Sequence, residues 1–161
     1  MLQTHTKLYL KENDRKSMRR AGQFNADLMD HVRKIIKAGI TTGEIDQIVY
    51  DFTIAHKNRP ATLGYQGYPK SCCVSINDVI CHGIPDDTVL RDGDIVNVDV
   101  TSIVDGWYGD QSETFLVGQC SPEAIAVTQC AFDAMWAAID NLTPSCTVSI
   151  IGDAVVEIAG E

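Results

Sequence analysis

The sequence predicts an α+β fold, with helices on one face of an antiparallel sheet and the chain forming the first half of a duplicated unit. Three observations predict it. Amphipathic helical patterns come in pairs, one pair before and one after a strand-rich middle. The middle holds Asp105-Gly106 between two runs of alternating residues, among the strongest short-range hairpin signals. A shift that lays Thr41 on Thr147 also lays Ile45 on Ile151, Val49 on Val155 and Phe52 on Ile158, a weak internal repeat. Any two amphipathic helices can match this way by chance, so the repeat gains weight only from the element order. A second hairpin is expected after Glu161.

Asn13 or Asp14 can cap a first helix, whose apolar positions Met18, Ala21, Leu28, Val32, Ile35 and Ile36 recur until Gly39 ends it. Thr41 or Thr42 caps a second, with Glu44 in its first turn and Ile45, Ile48, Val49 and Phe52 on one face, fading by Asn58 and Pro60. From Thr62 to Asp94 short runs are broken by Gly, Pro, Asn and Asp. Cys73 to Ile76 and Val79 to Cys81 are the strand candidates there. Ile95 to Val104 and Trp107 to Val117 form the hairpin. Ser121 and Pro122 open a third helix reaching about Leu142, and Thr147 begins a fourth that is still running at Glu161.

A chain of 161 residues is one domain by length and buries roughly two-thirds of its unfolded surface. A formal net charge of −9 argues against a phosphate backbone as main partner, because such binding needs clustered cations. The basic residues Arg15, Lys16, Arg19 and Arg20, and Arg33, Lys34 and Lys37, fall within a helical pattern and read as a solvated face. Met1 to Leu10 lacks the apolar core of a signal peptide or membrane span. Six cysteines without a C-x-x-C pairing read as reduced thiols, so a cytoplasmic location is expected.

In Ile95-Val96-Asn97-Val98-Asp99-Val100-Thr101 the valines share one face, while Asn97, Asp99 and Thr101 share the other. A two-residue turn at Asp105-Gly106 sets Val104 opposite Trp107, Thr101 opposite Asp110 and Asp99 opposite Ser112. Asp99 and Asp110 are then diagonal neighbours on one face, within about 7 to 8 Å. Two carboxylates so placed suit divalent ions. Spacing alone slightly favours a half-exposed hairpin whose acids face water.

Asn97-Val98-Asp99-Val100-Thr101 with Gly109-Asp110 resembles the metal hairpin of methionine aminopeptidases. Upstream, Gly64-Tyr65-Gln66-Gly67-Tyr68-Pro69-Lys70-Ser71 and Cys81-His82-Gly83-Ile84-Pro85 resemble the substrate loops of the type I enzymes. The resemblance covers essentially the whole chain. It implies the first half of the pseudo-twofold pita-bread fold, and removal of the initiator methionine from nascent proteins by water activated at a dinuclear centre.

Carried over residue by residue, the resemblance implies metal ligation by Asp99 and Asp110, with Thr101 beside the metals. His82 would hydrogen-bond the scissile amide. Thr62, Tyr65, Tyr68 and Cys73, with His82, would line the pocket for the methionine side chain. Thr62 departs mildly from the family, where that position is often Cys. Asn77 and Val79 match a place where backbone carbonyls bind a monovalent cation in some members. The implied cofactors are two divalent ions (cobalt, manganese, iron or zinc). The implied partner is the N-terminal peptide of a nascent chain, at the ribosome, met by a monomer of full length, with no membrane or direct nucleic-acid contact.

His5, His31 and His56 match no motif and read as surface residues. The family's remaining ligands, a His and a pair of Glu, correspond to sequence beyond Glu161. The chain is therefore expected to be the N-terminal portion of the catalytic domain, inactive or nearly so alone. The alternatives are a non-catalytic binding protein of the same fold and a different exopeptidase, such as a proline-specific one.

Overall fold

The computed structural model describes residues 9–160, and His5 lies outside the described residues. Helix α1 spans Glu12–Arg33 and α2 spans Thr42–Ala55. Strands β1 (Arg59–Pro60), β2 (Cys73–Ile76), β3 (Ile95–Val104) and β4 (Trp107–Leu116) follow, then helices α3 (Pro122–Asp140) and α4 (Ser149–Ala159). A short 3-10 turn, Tyr65–Gly67, interrupts the loop between β1 and β2.

The sheet is antiparallel and built around β3. Its register is the one the turn dictates, with Val104 opposite Trp107, Thr101 opposite Asp110 and Asp99 opposite Ser112. Residues Val96 to Asp99 pair with β2, and Ser102 and Ile103 pair with β1. Both short strands therefore lie along the edge of β3 opposite β4. Pro60 is tolerated in β1 because this two-residue strand is a margin with few ladder bonds to lose.

One face of the sheet is the core. Val96, Val98 and Val100 are essentially fully buried, against Leu28, Met29 and Val32 of α1 and Ile45 and Val49 of α2. Each such side chain contributes roughly 1.5–3 kcal/mol of hydrophobic stabilisation. Asn25 reaches in from α1 to donate its amide to the Val100 carbonyl at 2.8 Å. Gly109 lets α1 come close, since a Cβ there would lie 2.2 Å from the Ala21 carbonyl oxygen. Arg33 then ties the C-terminal end of α1 to β4 through a two-point pair with Glu113, at 3.1 and 2.7 Å, and also pairs with Asp30.

Several boundaries differ from expectation. The first helix begins after Lys11, and Asp14 acts from the third position by accepting the Lys11 backbone N–H at 2.9 Å. It stops at Arg33, where Ile35 and Ile36 leave the helix yet still pack on the core, and Gly39 at φ 96° turns the chain to donate to Leu90. Val79 to Cys81 is not a strand, because Asn77 adopts φ 51° and Val79 donates back to Ile76, closing a turn. The third helix ends at Asp140, where Asn141 caps Ala137. The fourth starts at Ser149, after Thr147 and Ser149 pair their hydroxyls.

His31 is only partly exposed. Its ring lies 5.0 Å from Phe52, so the surface expectation is corrected for His31, whereas His56 is exposed as expected and stacks on the same Phe52 at 4.3 Å. All six cysteines are free thiols. No helix among the described residues is long and apolar enough to cross a membrane. Helices α3 and α4 pack chiefly on each other, burying Ala134, Ala138 and Ala154 while Phe132, Trp136 and Val156 stay largely exposed.

Candidate metal and substrate site

The hairpin places Asp99 and Asp110 on the face opposite the valines, as the alternation requires. Asp99 is half-buried and Asp110 exposed. Burial raises the Asp99 carboxyl above its ordinary range, the nearby Asp110 carboxylate raises it further, and His82 partly offsets both. Two carboxylates on one face offer oxygen donors whose mutual repulsion a divalent cation would relieve. The Thr101 hydroxyl donates to Asp110 Oδ1 at 3.2 Å and so holds that carboxylate. Beside Asp99, Asn97 accepts from the Ser112 hydroxyl at 2.9 Å and donates to Thr114 at 3.0 Å, fixing the rest of this face.

Cys73 is the ladder partner of Asp99, so the wall carrying Cys73 begins beside the carboxylate. Thr62, Tyr65, Tyr68, Cys73 and His82 line one cavity of about 510 Å³, together with Gln66, Gly67, Pro69 and Ile84. Every side chain expected from sequence to form the substrate pocket is therefore brought together. The Tyr68 hydroxyl lies 3.1 Å from the carbonyls of both Cys72 and Gly83 and shares its proton between them. Burial pushes its acidity far below that of a free phenol. Burial likewise pushes the Cys73 thiol up, although Tyr68 opposes this, so the wall stays neutral. His82 occupies a left-handed backbone conformation at φ 55°, and Gly83 packs so tightly on β2 that a Cβ would meet the Val74 carbonyl at 2.2 Å.

Asn77 and Val79 stand apart from this pocket. The Asn77 side chain accepts from the Ile95 N–H at 3.0 Å and donates to Asp94 at 2.9 Å, which pins the loop to the start of β3. Val79 is exposed. Among the described residues no three His, Cys, Asp or Glu side chains gather as a metal-holding group.

Sequence reasoning passed over Asp46. This α2 carboxylate is buried beneath the pocket loop and accepts from the backbone of Ser71 at 2.7 Å and Cys72 at 3.2 Å. The available signal was an acid directly after Ile45 on a helix whose stripe is otherwise apolar.

The structure thus presents an antiparallel sheet with Asp99 and Asp110 on its open face, beside the side-chain cavity. The chain belongs to metallopeptidase family M24, which it matches over residues 16–161, and within that family it is similar to the methionine aminopeptidases. It is 41% identical over 148 residues to the methionine aminopeptidase of Rickettsia prowazekii, covering 92% of this chain and 57% of that protein. It is 42% identical over 142 residues to methionine aminopeptidase 2 of Mycobacterium tuberculosis, covering 88% of this chain and 50% of that one. The crystal structure of the Rickettsia prowazekii enzyme superposes with a TM-score of 0.93 at 40% identity, covering 95% of this chain and 62% of that chain. The chain thus spans about half the length of the relatives it matches. A Pyrococcus horikoshii prolidase shares the fold, with a TM-score of 0.78 at 16% identity. The architecture is accordingly the antiparallel-sheet-and-helix portion of the pita-bread fold.

Proposed function

We propose that this chain supplies the N-terminal part of a methionine aminopeptidase site that removes initiator methionine from nascent polypeptides. The observation that carries the reading is the junction of two elements. The carboxylates Asp99 and Asp110 share the open face of the hairpin, and the cavity lined by Thr62, Tyr65, Tyr68, Cys73 and His82 adjoins Asp99 through its ladder partner Cys73.

Two divalent ions (cobalt, manganese, iron or zinc), when bound, supply Lewis-acid polarisation of the scissile carbonyl and a more acidic water. Asp99 and Asp110 would hold them from one side, with Thr101 orienting Asp110. The neutral wall of Thr62, Tyr65, Tyr68 and Cys73 receives the unbranched thioether, and the first peptide bond then lies toward the carboxylates. His82, which lines the same cavity, would hydrogen-bond the scissile amide. Asn77 and Val79 would offer their carbonyls to a monovalent cation. The natural setting is the cytoplasm, with the emerging peptide at the ribosome as partner and a monomeric enzyme.

Two acids are an incomplete ligand set. Purified chain incubated with manganese or cobalt should leave Met-Gly-Met-Met intact. A fusion that continues this chain with the C-terminal portion of the Rickettsia prowazekii relative should release methionine in a metal-dependent way. Asp99→Asn in that fusion should abolish release, because it removes a group that holds the catalytic ion. Metal-dependent cleavage by the chain alone would overturn the incomplete-site reading. Undiminished activity of the Asp99→Asn fusion would overturn the assignment of the site.

A further inference from the structure

Asp46 is a buried carboxylate that the hydrolytic reading does not use. It is 8% exposed, on a helix face otherwise occupied by Ile45 and Val49, and a charge so placed is costly unless paired and hydrogen-bonded. All of its partners come from one short segment. Oδ1 accepts the Ser71 N–H at 2.7 Å and the Cys72 N–H at 3.2 Å, with Cys72 Sγ at 3.8 Å. Oδ2 lies 3.7 Å from the Lys70 ammonium. The Lys-Ser pair that closes the Gly64 to Ser71 motif thus has a physical purpose, because it is the receptor for a carboxylate on another element.

That segment anchors the pocket wall. The Thr62 hydroxyl donates to the Lys70 carbonyl at 3.0 Å, closing the loop on itself. The Gly64 N–H donates to Tyr68 at 2.8 Å within it. The Tyr68 hydroxyl bonds Cys72 and Gly83, and the Val74 N–H reaches Gly83 at 2.9 Å, which sets the residue after His82. Thr62, Tyr68, Cys73 and His82 therefore hang, by one or two hydrogen bonds each or by direct chain neighbourhood, on the three residues that Asp46 grips.

We infer that Asp46 is a positioning residue for the side-chain pocket, fixing the wall that selects methionine by holding Lys70, Ser71 and Cys72. The inference rests on the pocket assignment proposed above. Asp46 acts through those three residues and does not line the cavity itself. Hydrogen bonds to a charged acceptor are about twice as strong as neutral ones, so an amide of the same size is a weaker hub. It also presents an N–H₂ group toward the Lys70 ammonium. A loosened wall loses discrimination between long and short side chains, which in an apolar pocket is worth roughly 10- to 200-fold per methylene.

The test uses the whole chain, titrated with Met-Ala and with Ala-Ala and followed by amide NMR, in the wild type, Asp46→Asn and Lys70→Met. The wild type should prefer Met-Ala. Asp46→Asn should cut that preference at least about fivefold, with Lys70→Met intermediate, since charge-assisted bonds are lost in each. A purely structural role would weaken both peptides in parallel and keep the ratio, and that result would overturn the inference. Hydrogen exchange without ligand supplies the second readout. Amides of Gly64 and Val74, which do not touch Asp46, should exchange faster in Asp46→Asn while those of α1 do not. Unchanged exchange at both positions overturns the positioning role. A wild type without peptide preference would instead sink the pocket assignment, and exchange would then decide the role of Asp46 by itself.

Discussion

Gly109 owes its identity to the layer above it, not to its own backbone. A side chain there would drive a Cβ to 2.2 Å from the Ala21 carbonyl and 2.6 Å from its carbon, both main-chain atoms of α1 that cannot swing aside. Gly109→Ala should therefore lift α1 off β4 at a cost of about 1–3 kcal/mol, the usual range for overpacking. Urea denaturation would register it, and an unchanged midpoint would show that α1 yields freely. Because Asp110 is the next residue, the same substitution should shift the carboxylate pair. At this scale the acids of the hairpin were legible from alternation alone, since a period of two separates Asp99 from the valines unambiguously. Asp46 was not legible. Its place after Ile45 beside the apolar stripe was a weak local signal, but its partners Lys70, Ser71 and Cys72 are distant in sequence, so what grips it could not be read.

Among the elements, α2 is the clearest case of local chemistry fixing an end. The Thr41 hydroxyl accepts the Glu44 N–H at 3.1 Å while Glu44 accepts the Thr41 N–H at 2.8 Å, a reciprocal box. The Thr41 backbone, and next its hydroxyl, hold the Glu44 carboxyl below its usual range. Close by, Asp86 is lowered chiefly by Thr88 and also accepts from Thr42. For acids whose folded pKa is depressed, the stabilisation is complete above the unfolded value. It is lost as pH falls through the folded one. The stability gap between wild type and Glu44→Gln should thus be full at pH 7 and narrow progressively below about pH 4.3, the unfolded glutamate value. An equal gap at pH 7 and at the lowest pH that preserves the fold would refute the box as its source. The hairpin register was equally readable, because a two-residue turn admits one ladder. Val79 to Cys81 was misread because its apolar content resembles a strand, whereas the left-handed Asn77, pinned by Asp94 and Ile95, turns the chain away first.

On the scale of the molecule, the sheet part and the α3–α4 pair differ in finish, and Gln119 and Cys120 tie the link between them to Asp92 and Asp94. The sheet with α1 and α2 has a closed core, while α3 and α4 bury little beyond three alanines and leave Phe132, Trp136 and Val156 largely exposed. An apolar surface of that kind drives association. The purified chain should scatter light increasingly with concentration, and Phe132→Ser with Trp136→Gln should suppress this without lowering the thermal midpoint. A double variant that melts much lower would mean these rings support the fold.

The sequence by itself determined the α+β class, the four helices, the hairpin register and the placing of Asp99 and Asp110 on one face, because each depends on periodicity or turn chemistry within a few residues. Only the tertiary structure decided that Cys73 lies beside Asp99 in the ladder, that the Thr62 to His82 loops close on one cavity, and that Asp46 holds them. Those contacts join residues far apart along the chain, so no local pattern of the sequence encodes them.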